Sequence, residues 1–388
     1  MSGKRSLKDG FIRADEPFEK NVQRMLSNYR NRSEARQTRP LRLVLVSVLV
    51  TLLISAAALS FAGQTGALDF LFAPRQDLQF TYVTTYKNGV KGFIITGYYG
   101  QEGDVVIPER IERVPVSGIG AGAFARSMKL TSVTLPQSLV TIGDSAFFGC
   151  ENLAGVAFGG GTKLQNIGNS AFADCLSLTS LSIPEGVKNI GHLAFASCSN
   201  LVSVTLPESL EGLGEGAFSF CEKLPNVRLP GGIRQVRGGL FAGCLGLQSI
   251  VLPDSIQAIG ANAFYECRSL KSIALPEGLT QIPDYAFWRC ESLQEVLFPQ
   301  SVVSIGDFAF SWCAGLERAA LPEGLTRLGR QAFAWCLSLE SLDLPGSLAQ
   351  IGEDAFSFCD LLTLRSEEGS FAQRYAQEQK IPFAIVHD

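Results

Sequence analysis

Histidine is almost missing from this sequence: His192 and His387 are the only two among 388 residues. Neither keeps register with a serine or cysteine nucleophile, so triad chemistry has no base. No two cysteines are spaced as CxxC, which removes the usual metal-clasping pattern. No phosphate-cradling glycine loop occurs, and Gly159-Gly160-Gly161 is read as the tight turn of an insertion. Charge is also scarce, 18% of residues against 46% hydrophobic, which excludes disorder over most of the length. These gaps point away from an enzyme, and no cofactor or metal is expected.

The few charges are unevenly placed. Residues 1–42 carry eleven Lys/Arg and five Asp/Glu, and the rest carries 22 and 32. An acidic remainder repels a phosphate backbone, so nucleic acid is not an expected partner. Leu43 to Ala62 then runs for twenty residues without a charge. At about 1.5 Å per residue such a helix spans roughly 30 Å, the thickness of a hydrocarbon core. The basic head predicts a cytoplasmic N-terminus, a single-pass transmembrane helix over 43–62 and an extracellular remainder. A cleaved signal peptide is the competing reading, since Ser60-Phe61-Ala62 resembles a cleavage site. Within the head, Phe18, Val22, Met25, Leu26 and Tyr29 fall on one helical face. That face suits the membrane interface or a cytoplasmic partner.

A repeat dominates the rest of the chain. An apolar-Gly-x-x-Ala-Phe-x-x-Cys unit places Phe at 124, 147, 172, 195, 218, 241, 264, 287, 310, 333 and 356. The step is 23 residues except between Phe147 and Phe172, where Phe158-Gly-Gly-Gly-Thr lengthens it to 25. In a unit such as Leu270–Ile282, alternating Leu270, Ile273 and Leu275 read as a short half-buried strand, ended by Pro276. Asp144, Asn169, Asp284 and Asp307 stand where they would cap one helical turn that carries the buried Phe toward the Cys. No unit can bury its face alone, so stacking creates the core. The fold class is therefore an α/β solenoid of about eleven coils, each with short strands and one helical turn. The expected divisions are a head (1–42), the transmembrane helix (43–62), a stalk (63–79), an N-terminal β cap (80–119), the solenoid (120–364) and a C-terminal cap (365–388). The first cap includes hairpin-like Lys87-Asn88-Gly89, and the second combines a capped helix from Gly369 with an edge strand at Ile381–Val386.

The pattern LxSIxLPxxLxxIGxxAFxxC, the leader ITGYYGQEGDVVIPERI and the tail GSFAQRYAQEQKIPF resemble the BspA-like bacterial surface leucine-rich-repeat family with its treponemal-type repeats. The resemblance covers about residues 80–388 and implies a right-handed horseshoe or rod. It also implies surface exposure and adhesion to proteins or other bacteria. Arg237 and Pro283 replace the glycine of the pattern and put local coil geometry there in question.

All ten Cys lie three residues after a repeat Phe. Side chains stacked about 5 Å apart and pointing the same way do not converge as a disulfide needs, so reduced buried thiols are expected. Glu185, Glu208, Asp254, Glu277 and Glu323 share the position after the repeat Pro. A recurring turn residue explains them more simply than a calcium or glycosidase site. Aromatic residues lie between Phe and Cys at Phe148, Phe220, Tyr265, Trp288, Trp312, Trp335 and Phe358, and all of these but Phe148 are the candidate binding residues. Trp312, Trp335 and Phe358 share one position in three successive coils and should form a continuous ridge. It could anchor a protein or stack on sugar, or it could fill gaps between coils. The function expected is a membrane-anchored surface protein that binds a protein or glycan. The alternative is a transmembrane sensor or envelope scaffold whose cytoplasmic helix contacts a partner.

Overall fold

The computed structural model describes residues 75–76, 79–87 and 90–386, which belong to a compact unit spanning Phe72–Asp388. The head and the 43–62 segment lie outside the described residues, as do Asn88-Gly89 and His387. Among the described residues no helix is long and apolar enough to cross a membrane.

The chain winds as a right-handed solenoid built mostly of strands. It is longer than the eleven Phe units: thirteen short strands, from Asp104–Val106 to Phe383–Ile385, occupy successive turns of one row. They pair in parallel and in register within five groups of two or three, as in Ser272↔Glu295 and Glu295↔Arg318. A second row holds two-residue strands such as Gln281–Ile282, Ser304–Ile305 and Arg327–Leu328. It begins on the hairpin Phe80–Lys87/Val90–Tyr98, which pairs with Val114–Ile119 and covers the edge of the row.

The third side corrects the sequence expectation, because no helical turn forms there. In every Phe unit the residues two before and two after the Phe have left-handed φ, for example Phe308 (57°) and Trp312 (63°) around Phe310. L-residues rarely adopt this region. Here it turns the backbone so that alternate amides leave the coil. Phe308, Phe310 and Trp312 N–H donate to Arg330, Ala332 and Ala334 of the next coil, all at 2.8 Å. The amides between them close i→i+3 turns within the coil, as Ser311 to Phe308 does at 3.2 Å. The side is thus a parallel ladder made of turns, and it satisfies the backbone as a sheet would.

The residues expected to cap helices serve that ladder instead. Asp144 Oδ1 accepts from Asn169 N, Asn169 Oδ1 from His192 N, and Asp307 Oδ1 from Arg330 N, each at 2.8 Å. His192 continues the series as an exposed surface residue: its Nδ1 accepts from Glu215 N at 3.2 Å. Of the carboxylates after the repeat proline, Glu185 accepts from the amides of Glu208 and Ser209 one coil on. Glu208 itself pairs with Arg228. Both act as turn residues.

Inside, the repeat phenylalanines form one column of stacked rings. Tyr98 lies stacked on Phe124 at 5.1 Å, and Tyr375 meets Phe356 edge-on at 6.2 Å. Tyr375 belongs to the helix Phe371–Gln379, whose N-cap Ser370 accepts from Gln373 N while Gln373 Oε1 accepts from Gly369 N. The glycine column explains how closely the coils approach: a Cβ on Gly306 would lie 2.6 Å from Asp284 N. Arg237 and Pro283 carry side chains at that place, and the second strand row is interrupted just before each of them. The ring spacing varies along the column, from 4.8 Å for Phe124–Phe147 to 6.0 and 5.9 Å for Phe218–Phe241 and Phe241–Phe264 beside Arg237, and 5.9 Å again for Phe333–Phe356.

Candidate binding surface

The backbone of the third side sorts the aromatic candidates into two groups. The residue directly after the repeat Phe points inward, and Phe148, Tyr265 and Trp288 are only 1%, 1% and 5% exposed. Tyr265 and Trp288 stack on each other at 4.7 Å within the molecule, so neither offers a ring to a ligand. The next residue has left-handed φ and points outward. Phe220, Trp312 and Trp335 are half-buried there, and Phe358 is 56% exposed. Phe220 lies across Gly243 of the following coil, whose missing side chain makes room for the ring.

Trp312, Trp335 and Phe358 do form one ridge. Their ring centroids are 4.4 and 4.0 Å apart, with interplanar angles of 10° and 16°. Large rings on the outer side are not required to close the core, which the inner phenylalanines already fill. Just before the ridge the same column becomes ionic. Glu266 accepts from Arg268 and Arg289 at 2.7 and 2.9 Å, and Arg289 reaches Glu291 at 3.0 Å.

The strand face holds an apolar row that reading the sequence missed. Val251 and Leu297 are 57% and 59% exposed, and the row continues through Ala274 and Ala320 in the same outward position. The available signal was the alternation of the short strands, which puts their third residue outward. Between the hairpin and the first coils lies an open groove of about 610 Å³, with Lys91, Ile94, Val140 and Lys163 on its walls. No carboxylate, histidine or cysteine is among its lining residues.

The thiols form a column of their own. All ten are free, and each Sγ lies within hydrogen-bond reach of the Phe carbonyl one coil back, as Cys198 to Phe172 O at 3.3 Å. Burial pushes the Cys150, Cys198 and Cys244 thiols up to about 12. Cys359 ends the column half-buried, and a hydrogen bond with Cys336 lowers its pKa.

With this geometry established, comparison with known proteins places the chain. The model of the BspA type leucine rich repeat region matches residues 117–247 and 235–363, more than half of the sequence. The chain belongs to this family. Among solved structures, a leucine-rich repeat protein from Bacteroides ovatus is 25% identical, with 82% of this chain and all of that one covered and a TM-score of 0.52. The leucine rich repeat protein of T. pallidum is 37% identical over 51% of this chain and 91% of its own, with a TM-score of 0.48. The pneumococcal vaccine antigen PcpA shares the fold at 16% identity, covering 81% and 99%, with a TM-score of 0.50. No curated protein sequence matches at a significant level.

Proposed function

We propose that this BspA-type chain is a membrane-anchored binding protein. Residues 43–62 cross the membrane, the basic head remains cytoplasmic, and the solenoid is displayed outside the cell to bind a partner rather than to catalyse a reaction. One observation carries the reading: Trp312, Trp335 and Phe358 line up on the outer side, where the fold has no need of them. An exposed row of large aromatic residues is characteristic of an anchoring surface. The ring faces are largely covered by one another, leaving edges and the two end faces. That favours a protein partner over a glycan stacked along the row.

The test uses intact cells that display the full chain. Added protease should remove the repeats and leave residues 1–42 protected. The cells should also bind at least one member of a panel of matrix proteins, glycans and envelope components, and lose that binding with Trp312→Ser and Trp335→Ser together. Repeats protected inside the cell, or binding unaffected by the double variant, would overturn the proposal.

A further inference from the structure

The turn side carries three aromatic stacks, and two of them, each containing a buried ring, meet an arginine of the chain itself. Tyr285–Phe308, 4.8 Å between centroids, is covered by Arg330, whose guanidinium carbon is 4.8 Å from the Phe308 centroid. Tyr265–Trp288 has Arg289 over the Trp288 ring at 5.6 Å. The third stack, Trp312–Trp335–Phe358, is the longest. Among the described residues no Lys or Arg lies over the Phe358 ring.

This end of the stack is also uncovered. Phe358 is 56% exposed although Trp335 occupies one of its faces. Cys359 beside it is the one thiol of the ten that is not fully buried. The terminal helix places Tyr375 edge-on against the inner Phe356. Charge adds a second, independent observation. From Gln331 to Leu364 the chain has five carboxylates, Glu340, Asp343, Glu353, Asp354 and Asp360, and no Lys or Arg. Asp343 is paired with Arg365. Asp354 and Asp360 are exposed, four residues before Phe358 and two after it.

We propose that the free face of Phe358, flanked by Asp354 and Asp360, is a seat for an arginine side chain of a protein partner. This deepens the binding function proposed above and rests on it. A planar guanidinium can lie on the ring face while its N–H groups reach carboxylates at the rim. Lysine carries the charge without the plane, and a sugar has the extended face without the charge. Elsewhere on this side the chain sets its own arginines over the rings of Trp288 and Phe308. The third seat is left for an arginine from outside.

The test follows the indole N–H resonances of the full chain, which has three tryptophans. A serine-flanked, end-blocked arginine tripeptide is titrated in, with lysine and citrulline tripeptides as controls. Citrulline keeps the planar shape and lacks the charge. Arginine should shift the Trp335 signal saturably and leave buried Trp288 in place. Lysine should bind roughly fivefold to tenfold more weakly, and citrulline should cause no shift. Phe358→Leu should abolish the response. Asp354→Asn with Asp360→Asn should weaken it, as should added salt.

Equal responses to arginine and citrulline would overturn the proposal, as would an arginine response that survives Phe358→Leu, or no response at any attainable concentration. Self-association of the chain that Phe358→Leu abolishes would replace the outside partner with a second copy and equally overturn it. The citrulline comparison needs no variant, so a misfolded substitution cannot decide the result. Cells that still bind a panel member through the ridge, while the tripeptide does nothing, would refute the arginine seat and leave the binding function intact.

Discussion

Two columns of aromatic rings run along this solenoid, one inside and one outside, and their spacings differ. The inner phenylalanines stack at 4.8–6.0 Å, with the widest step beside Arg237. Strand rows repeat at roughly 4.8 Å, so the backbone sets the inner spacing and packing fills the remaining space. The outer Trp312, Trp335 and Phe358 approach to 4.4 and 4.0 Å, closer than the coils beneath them. Their side chains lean together, and ring–ring contact sets that distance. The inner column is the consequence of stacking; the outer one is an addition to it.

The contrast can be broken most severely at high pH. Nine thiols lie buried beside the inner rings, and those of Cys150, Cys198 and Cys244 are raised to about 12 from 9.0. A raised folded pKa contributes stability that is complete below the unfolded pKa and lost as pH rises toward the folded value. Above about pH 9 the unfolded chain releases protons that the folded chain keeps, so stability falls. A thiol that stays protonated in the fold while the unfolded one ionises contributes about 1.4 kcal/mol per pH unit, and the nine buried thiols all act in the same direction. Circular dichroism against pH should show stability falling steeply above about pH 9 and cooperative unfolding before pH 11. Cys198→Ala should flatten the slope by one thiol's share, and a solenoid still folded at pH 11 would refute the account.

Phe264→Ala should come next. It removes a fully buried ring from mid-column and should cost about 3–5 kcal/mol in urea denaturation. The tryptophans sharpen the comparison further. Trp288→Ser empties an inward site and should cost a similar amount, whereas Trp335→Ser removes a half-buried outer ring and should cost about 1 kcal/mol. Equal losses would erase the distinction between inner and outer columns. The smallest effect concerns chemistry alone: in native protein at neutral pH a single thiol, Cys359, should react quickly with a maleimide, and about ten should react after denaturation. Mass mapping of the labelled residue checks the assignment.

Much of this was legible because the sequence repeats so strictly. The Phe and Cys columns, the short strands and the Trp312–Trp335–Phe358 alignment follow from register alone. The direction of neighbouring residues did not follow, because one helical turn was expected where left-handed residues alternate with ordinary ones. That pattern reverses which side chain faces water, so Tyr265 and Trp288 were grouped with Trp312. The composition held a usable sign. Aside from Phe148, Tyr265 and Trp288, the residue after each repeat Phe is Ala or Ser, whereas the following one includes Arg126, Asp174, Glu266 and Arg289. The exposed Val251 and Leu297 were missed for a different reason: a column in which serine, threonine and arginine also occur looks polar until its members are taken coil by coil.

The irregularity at Arg237 has a mechanical consequence. A rod assembled from identical rungs has no preferred place to part under tension, since every junction is equally strong. Here the second strand row is interrupted before both Arg237 and Pro283, and the inner rings stand furthest apart beside Arg237. Load carried along the axis would meet less strand pairing and looser ring stacking at that junction. A protein that tethers two surfaces would yield first at this seam, and the coils on either side would stay wound while it opened.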